Sequence, residues 1–270
     1  MAEGDATTRF GEELRWRRER ARYSQLGLAA AAEVSQRHLS FLETGRSRPS
    51  RQMVLDLAGA LDLPLRDRNS LLRSAGFTPE FTEWAFGVGP SDEVEWALRR
   101  MVAGHAPNPV RLVDRRGDVV LANVAGRRLG ALAGIEVPSA IGRNLVRFYL
   151  DPGGVRPAVV GWERFAAALL RRLERIADRH PTDDGVTAVV TEARRLCPAP
   201  AESMDESDEG SVVPLVISGP AGELRFLVMV GEIDDPRDAG LQELWMETLL
   251  PMDEHTDAAL RRAVGRDHGD

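Results

Sequence analysis

At 270 residues and 29.7 kDa the chain is too long for one small module and has the size of two ordinary domains. Apolar residues form 43% of it and charged residues 29%, a balance that sustains buried cores and excludes a largely disordered chain. The formal net charge is −7; the lone Cys197 excludes an internal disulfide framework and a multi-cysteine zinc site, and no window approaches the roughly 18–20 apolar residues of a membrane span.

Charge is unevenly divided. Every basic residue is arginine, and positions 9–51 hold ten arginines against five acids (Glu12, Glu13, Glu19, Glu33 and Glu43). From position 74 onward, thirty-two acids outnumber twenty-two arginines. A basic head on an acidic chain suits a polyanion-binding module joined to something else. The small, polar, acidic run Met1–Arg9 lacks the character of a secretory signal, so a cytoplasmic location is expected.

Five short helices are predicted first. Phe10 to Arg22 is a charged helix with Leu14 and Ala21 inward. Ser24 caps a second helix from Gln25 to about Ala32, and Ser35 caps a third with Leu39 and Leu42 inward. Gly45 closes the third helix at C′. After Arg46–Ser50 a fourth helix presents Val54, Leu57, Ala58 and Leu61. A fifth follows Pro64, carries Leu71 and Leu72, and ends at Gly76. The aromatic stretch Phe77, Phe81, Trp84 and Phe86 predicts a packed connector, because a free tether would be richer in Gly and Ser. The expected division is 8–77, a connector at 78–91 with Trp84 as coupling residue, and a second domain at 92–260.

The second domain alternates between periods. Asp92–Gly104 is predicted helical, Val110–Ala122 a hairpin turning at Arg116-Gly117-Asp118, and Asn123–Gly134 a helix. Trp162–Arg179 is a long amphipathic helix and Val186–Leu196 a shorter one, followed by an acidic loop over Pro198–Gly210. Strand-like runs occupy Val212–Ser218, Glu223–Glu232 and Gln242–Leu250, with a turn at Gly219–Gly222. The expected fold is α+β, an antiparallel sheet with helices segregated from it.

The pattern from Ser24 to Pro49 meets the needs of a helix-turn-helix. Gln25 opens the first helix, where its side chain and free N–H groups suit a phosphate. Ser35, Gln36 and Arg37 open the second, which would enter the major groove; glutamine pairs with adenine and arginine with guanine. Ser40 shares their face one turn on. Arg46 and Arg48 are placed for the next phosphates, and His38 is a backbone-phosphate or surface residue. The expected partner is double-stranded operator DNA.

The run Leu14–Gly76 resembles the Xre/Cro/C1-type helix-turn-helix regulators, through Leu14-Arg15-Trp16-Arg17-Arg18, Ser24-Gln25-Leu26 and, above all, Val34–Ser50. It is closer still to the MmyB-like branch, which the second domain matches through Val113-Asp114-Arg115, Ala122-Asn123, Asn144-Leu145, Trp162-Glu163 and Leu241–Leu244. The resemblance implies a lambda-repressor-like, five-helix head followed by a PAS-like ligand-binding domain, acting as a homodimer on symmetric half-sites. It implies that Arg18 and Glu43 form a partly buried ion pair, and that the ligand is of the fatty-acyl type. Glu33 departs from the pattern by occupying the turn position usually held by glycine.

Candidate lining for such a ligand is Phe148, Trp162, Phe165, Phe226 and Trp245, joined by Leu145 and Leu169, with Arg147 and Arg225 to meet a carboxylate. A dimerisation or protein-interaction domain without a small ligand is the alternative. No cofactor or metal is expected, since the five histidines lack ligand spacing. Glu243 and Glu247 lie on one strand-like run without a partnered nucleophile, so an enzyme is not expected.

Overall fold

The computed structural model describes residues 2–83, 92–179, 183–197, 213–233 and 238–265. They divide into two compact units: one holds the chain up to residue 83 with the described parts of 177–184 and 234–242, the other the described remainder. Trp84 and Phe86, most of the connector, and the acidic loop 198–210 lie outside the described residues.

The first unit is built from α1 (Ala2–Arg20), α2 (Gln25–Ala31), α3 (Gln36–Glu43), α4 (Arg51–Ala60) and α5 (Leu65–Ser74). Serines start the middle three. The hydroxyls of Ser24, Ser35 and Ser50 accept the N–H of Gly27, His38 and Met53 at 2.9, 3.1 and 3.2 Å, satisfying donors that a helix start leaves open. Left-handed residues end α3 and α5, Gly45 at φ +68° and Gly76 at φ +83°. Glu33 takes the same conformation, φ +55°, between α2 and α3; for a residue with a Cβ this costs roughly 1–2 kcal/mol. Phe10, Leu14, Leu28, Leu39, Leu42, Leu57, Leu71 and Leu72 are fully buried together. Helix α1 starts well before Phe10, and within it Gly11 lies against the end of α3; a Cβ there would meet Leu42 O at 2.6 Å and Glu43 O at 2.7 Å.

Asn69, fully buried on α5, ties down the chain that follows. Its Nδ2 donates to Phe81 O (2.8 Å) and Glu83 Oε1 (2.9 Å), while its Oδ1 accepts the N–H groups of Glu80 and Phe81.

The second unit opens with α6 (Asp92–Gly104) and the hairpin β1 (Val110–Val113) and β2 (Val119–Ala122). The helix expected over Asn123–Gly134 is two single turns, α7 (Val124–Arg127) and α8 (Leu129–Leu132). They part at Arg128 (φ −90°, ψ 2°), whose guanidinium donates to the Ala263 carbonyl. Next come α9 (Ser139–Gly142), α10 (Leu145–Leu150), a 3-10 turn at Arg156–Ala158, α11 (Trp162–Arg179) and α12 (Asp184–Leu196). Strands β3 (Leu215–Gly219) and β4 (Gly222–Glu232), helix α13 (Ala239–Gln242), strand β5 (Trp245–Pro251) and helix α14 (Glu254–Gly265) complete the chain.

The five strands form one antiparallel sheet in the order β2-β1-β5-β4-β3. The strand expected from Gln242 begins instead at Trp245. Asp238 accepts the N–H of Gly240 (2.8 Å) and Leu241 (3.1 Å), and the turn of helix so capped takes in Gln242. Glu243 is therefore in a turn and not on the strand with Glu247.

Candidate nucleic-acid interface and sheet face

The end of α3 that Ser35 caps is an exposed polar corner. Ser35, Gln36 and Arg37 are exposed, and His38 and Ser40 half-buried. The Arg37 guanidinium lies 5.4 Å from the Phe41 ring centroid, which holds its stem along the helix while leaving the charge at the surface. Arg46 and Arg48 are exposed beyond the other end, and Arg48 Nε donates to Thr7 Oγ1 at 3.4 Å. Apart from Gln25, the residues expected on DNA thus share exposed or half-buried positions on α3 and the loop after it. Gln25 points elsewhere: its Nε2 donates to Glu43 Oε2 at 2.9 Å.

Glu43 is the hub of a buried polar cluster. Arg18 grips it in a two-pronged pair, Nε to Oε1 at 2.6 Å and Nη2 to Oε2 at 3.1 Å, with side chains only 9% and 2% exposed. The hydrogen bond to Glu43 is the main reason the Arg18 pKa is raised. Arg18 also donates to Tyr23 O at 2.9 Å, so one guanidinium joins α1, the α1–α2 turn and the end of α3.

In the second unit a charged cluster sits on a sheet face. Residues opposite one another in neighbouring strands share a face, and the register sets Arg111 across from Glu247 and Glu247 across from Val230. Arg111 donates to Glu247 Oε2 from Nε at 2.8 Å and to the Tyr149 hydroxyl at 2.5 Å. Its guanidinium is 4.4 Å from the Phe148 ring centroid and 5.1 Å from that of Tyr149. Burial disfavours the Arg111 charge, but Glu247 and the Tyr149 oxygen outweigh it, and its pKa is raised. Burial pushes the Tyr149 hydroxyl well above its ordinary range, so it is a neutral donor and acceptor.

The same face carries Phe226, Val228, Leu249 and Trp245. Phe226 is fully buried, whereas Val228, Val230 and Trp245 are half-exposed. Arg172 of α11 reaches this region and donates to Val228 O at 3.2 Å. It is close enough to Glu247 to feel that charge, yet burial dominates and lowers its pKa. No carboxylate pairs with Arg172 among the described residues.

Phe148, Trp162 and Phe165 are gathered around Tyr149. The Phe148 and Phe165 rings meet it edge-on at 5.1 and 5.2 Å, and the Trp162 indole N–H donates to its carbonyl at 3.1 Å. The two expected carboxylate partners are not brought there. Arg147 pairs on the surface with Glu192 at 3.1 Å; the hydrogen bond from Arg195, then that from Arg147, hold the Glu192 carboxyl at about 2. Arg225 is exposed because alternation along β4 puts it on the face opposite Phe226. The arginines that meet this cluster are Arg111, over Phe148 and Tyr149, and Arg156, whose guanidinium lies 3.6 Å from the Trp162 ring centroid, while Arg172 lies beside Val228 of the same sheet. One signal in the sequence bore on Arg111: a single charge inside the apolar run Val110–Val113, which is buried along its whole length.

Capped helices crossing at Glu33, with an exposed polar corner on the second, define a helix-turn-helix DNA-binding module. The helix-turn-helix domain family matches residues 9–71, and the family of the MmyB-like transcription regulator ligand binding domain matches residues 94–263. The second match spans more than half of the chain, which therefore belongs to the MmyB-like transcription regulators. Neither family is enzymatic. No curated protein matches the chain. Among the described residues there is no cluster fit for a metal ion and no helix long and apolar enough to cross a membrane.

Proposed function

We propose that this regulator binds operator DNA as a homodimer through α3, and that its PAS-like sheet domain responds to a small apolar acid of the fatty-acyl type. DNA recognition rests on the exposed corner of Ser35, Gln36 and Arg37, with Ser40 and His38 beside it and Arg46 and Arg48 on the flanking phosphates. Arg37→Ala is expected to cost roughly 1–3 kcal/mol on the operator and to relax preference at one base pair. Arg46→Ala or Arg48→Ala should weaken operator and random DNA alike, lowering the log-affinity against log-salt slope by about one unit each. Fluorescence-anisotropy titrations over a salt series separate the two roles; equal losses on both DNAs for Arg37→Ala would make it a phosphate contact.

The observation that carries the ligand reading is Arg172, a partly buried cation with no carboxylate partner among the described residues, beside the half-exposed apolar side chains of Val228, Val230 and Trp245. A carboxylate head at Arg172 with its tail along those side chains satisfies both. Native mass spectrometry of protein purified from its host is expected to show a bound mass of a few hundred daltons. Arg172→Leu should weaken myristate binding by about tenfold or more in calorimetry, which corresponds to about 1.4 kcal/mol. Absence of a bound mass, together with no myristate heat, would favour a sheet domain that works by protein contact. Trp96, 65% exposed on α6 with Arg100 over its ring, supports that second reading.

A further inference from the structure

Within the stretch 94–263 that matches the ligand-binding family, two pieces group with the helical unit instead, the described parts of 177–184 and of 234–242, and the second of them is α13 with the residue before it. Its attachments are specific. Pro64, which precedes α5, has no side chain able to cap that helix, and the N–H of Leu65 is taken by Gln242 Oε1 at 2.9 Å. Asp238 pairs with Thr82 in a short parallel bridge, and the Ala239 N–H donates to Thr82 O at 2.8 Å. Ala239 is buried, and Thr82 itself follows Phe81, which Asn69 binds to α5. Helix α5 therefore has its first turn capped by Gln242 and its middle layered under 80–83, and residues 238–242 close over both.

The other end of this arm is the sheet. Glu232 of β4 and Trp245 of β5 are paired, and Ile233 N–H donates to Leu244 O at 3.0 Å, so the arm leaves and returns at one clamped point. Glu247 lies on the same face as Trp245, one alternation further along β5. A displacement of β5 therefore has a short covalent route to the cap of α5.

We propose that Asp238–Gln242 is a transmission arm, through which the state of β4 and β5 sets the packing of α5 and with it the affinity of the helix-turn-helix for DNA. The ligand reading above supplies the physiological trigger, but the arm can be tested without a ligand, because coupling between two sites is reciprocal. If the sheet acts on the head through the arm, DNA bound to the head must act on the sheet.

The probe is a duplex selected from a random library by the wild-type chain, and the readout is hydrogen exchange of the full-length protein by mass spectrometry. In the wild type, saturating duplex should change exchange of the β4 and β5 amides by about threefold or more, as expected when a cooperative unit is stabilised. In Gln242→Ala the first turn of α5 should exchange faster without DNA, and the response of β4 and β5 to DNA should vanish. Gln242→Glu keeps an acceptor oxygen at the helix start and should restore both. A purely structural cap would alter α5 exchange while leaving the DNA response of the sheet intact, and that result overturns the proposal. So does a wild type whose sheet does not respond to DNA. Calorimetry with myristate on the wild type reports on the ligand reading alone, so failure of one idea is separable from failure of the other.

Discussion

Glu247→Ala is expected to destabilise the sheet unit by about 3–5 kcal/mol, because it leaves Arg111 buried with no countercharge. The side chains of the pair are 4% and 3% exposed, so water cannot take over the role of the lost carboxylate. What remains around Arg111 is the Tyr149 hydroxyl, which burial keeps neutral, and two aromatic faces. These screen a cation weakly compared with a carboxylate at 2.6 Å. A loss of this size is a large share of the roughly 5–15 kcal/mol that holds a typical domain together. Removing both charges should behave differently: Arg111→Met with Glu247→Leu replaces an ion pair by apolar volume, a change that is often neutral or stabilising. Guanidinium unfolding of the three proteins, followed by Trp fluorescence and circular dichroism, decides the matter. A loss below about 1 kcal/mol in Glu247→Ala would place the pair among solvated surface bridges and contradict its burial.

The helical unit was legible in the sequence because its signals are local. Ser24 and Ser35 before apolar periods, with Gly45 and Gly76 after them, each act within one turn of helix, and all four do in the fold what their neighbours in sequence predict. The start of α1 was misplaced because no breaker or cap marks Phe10 as a beginning; the helical run simply continues upstream of it. In the sheet unit the hairpin β1–β2 was also local, set by a turn whose Gly117 has φ +80°. The Arg111–Glu247 pair was not, since its members are 136 positions apart and meet only once β5 inserts beside β1. Arg147 and Arg225 were attractive for the opposite reason: each adjoins a phenylalanine in sequence, but in a strand adjacent side chains point to opposite faces, and on α10 Arg147 turns to the surface. The strand expected from Gln242 failed because the apolar run Leu244–Met246 shows that a strand is present but not where it begins. Asp238, six residues upstream of Leu244, decides that by capping a turn of helix.

Glu43→Ala should destabilise the helical unit by about 3–5 kcal/mol, the cost typical of breaking a buried pair from one side. The carboxylate accepts from Arg18 through two nitrogens and from Gln25 through a third, and its side chain is 2% exposed. Alanine there would strand the Arg18 guanidinium, keeping only its bonds to Tyr23 O and to the exposed Glu19. Because Glu43 is the last residue of α3, the loss falls on the helix that carries Gln36 and Arg37, and its orientation against α1 is what the pair fixes. The unfolding midpoint should drop, and affinity for operator and random DNA should fall together as the folded fraction falls. Arg37→Ala, by contrast, should leave the midpoint unchanged and affect the operator preferentially. The double variant Arg18→Met with Glu43→Leu should recover most of the lost stability, as expected if the penalty comes from an unpaired buried charge. Gln25 supplies the opposing possibility, since losing Glu43 also releases its amide. If Glu43→Ala kept the wild-type midpoint yet altered DNA affinity, the carboxylate would act by holding Gln25 back from the phosphates, and the bracing role assigned to the pair would be wrong.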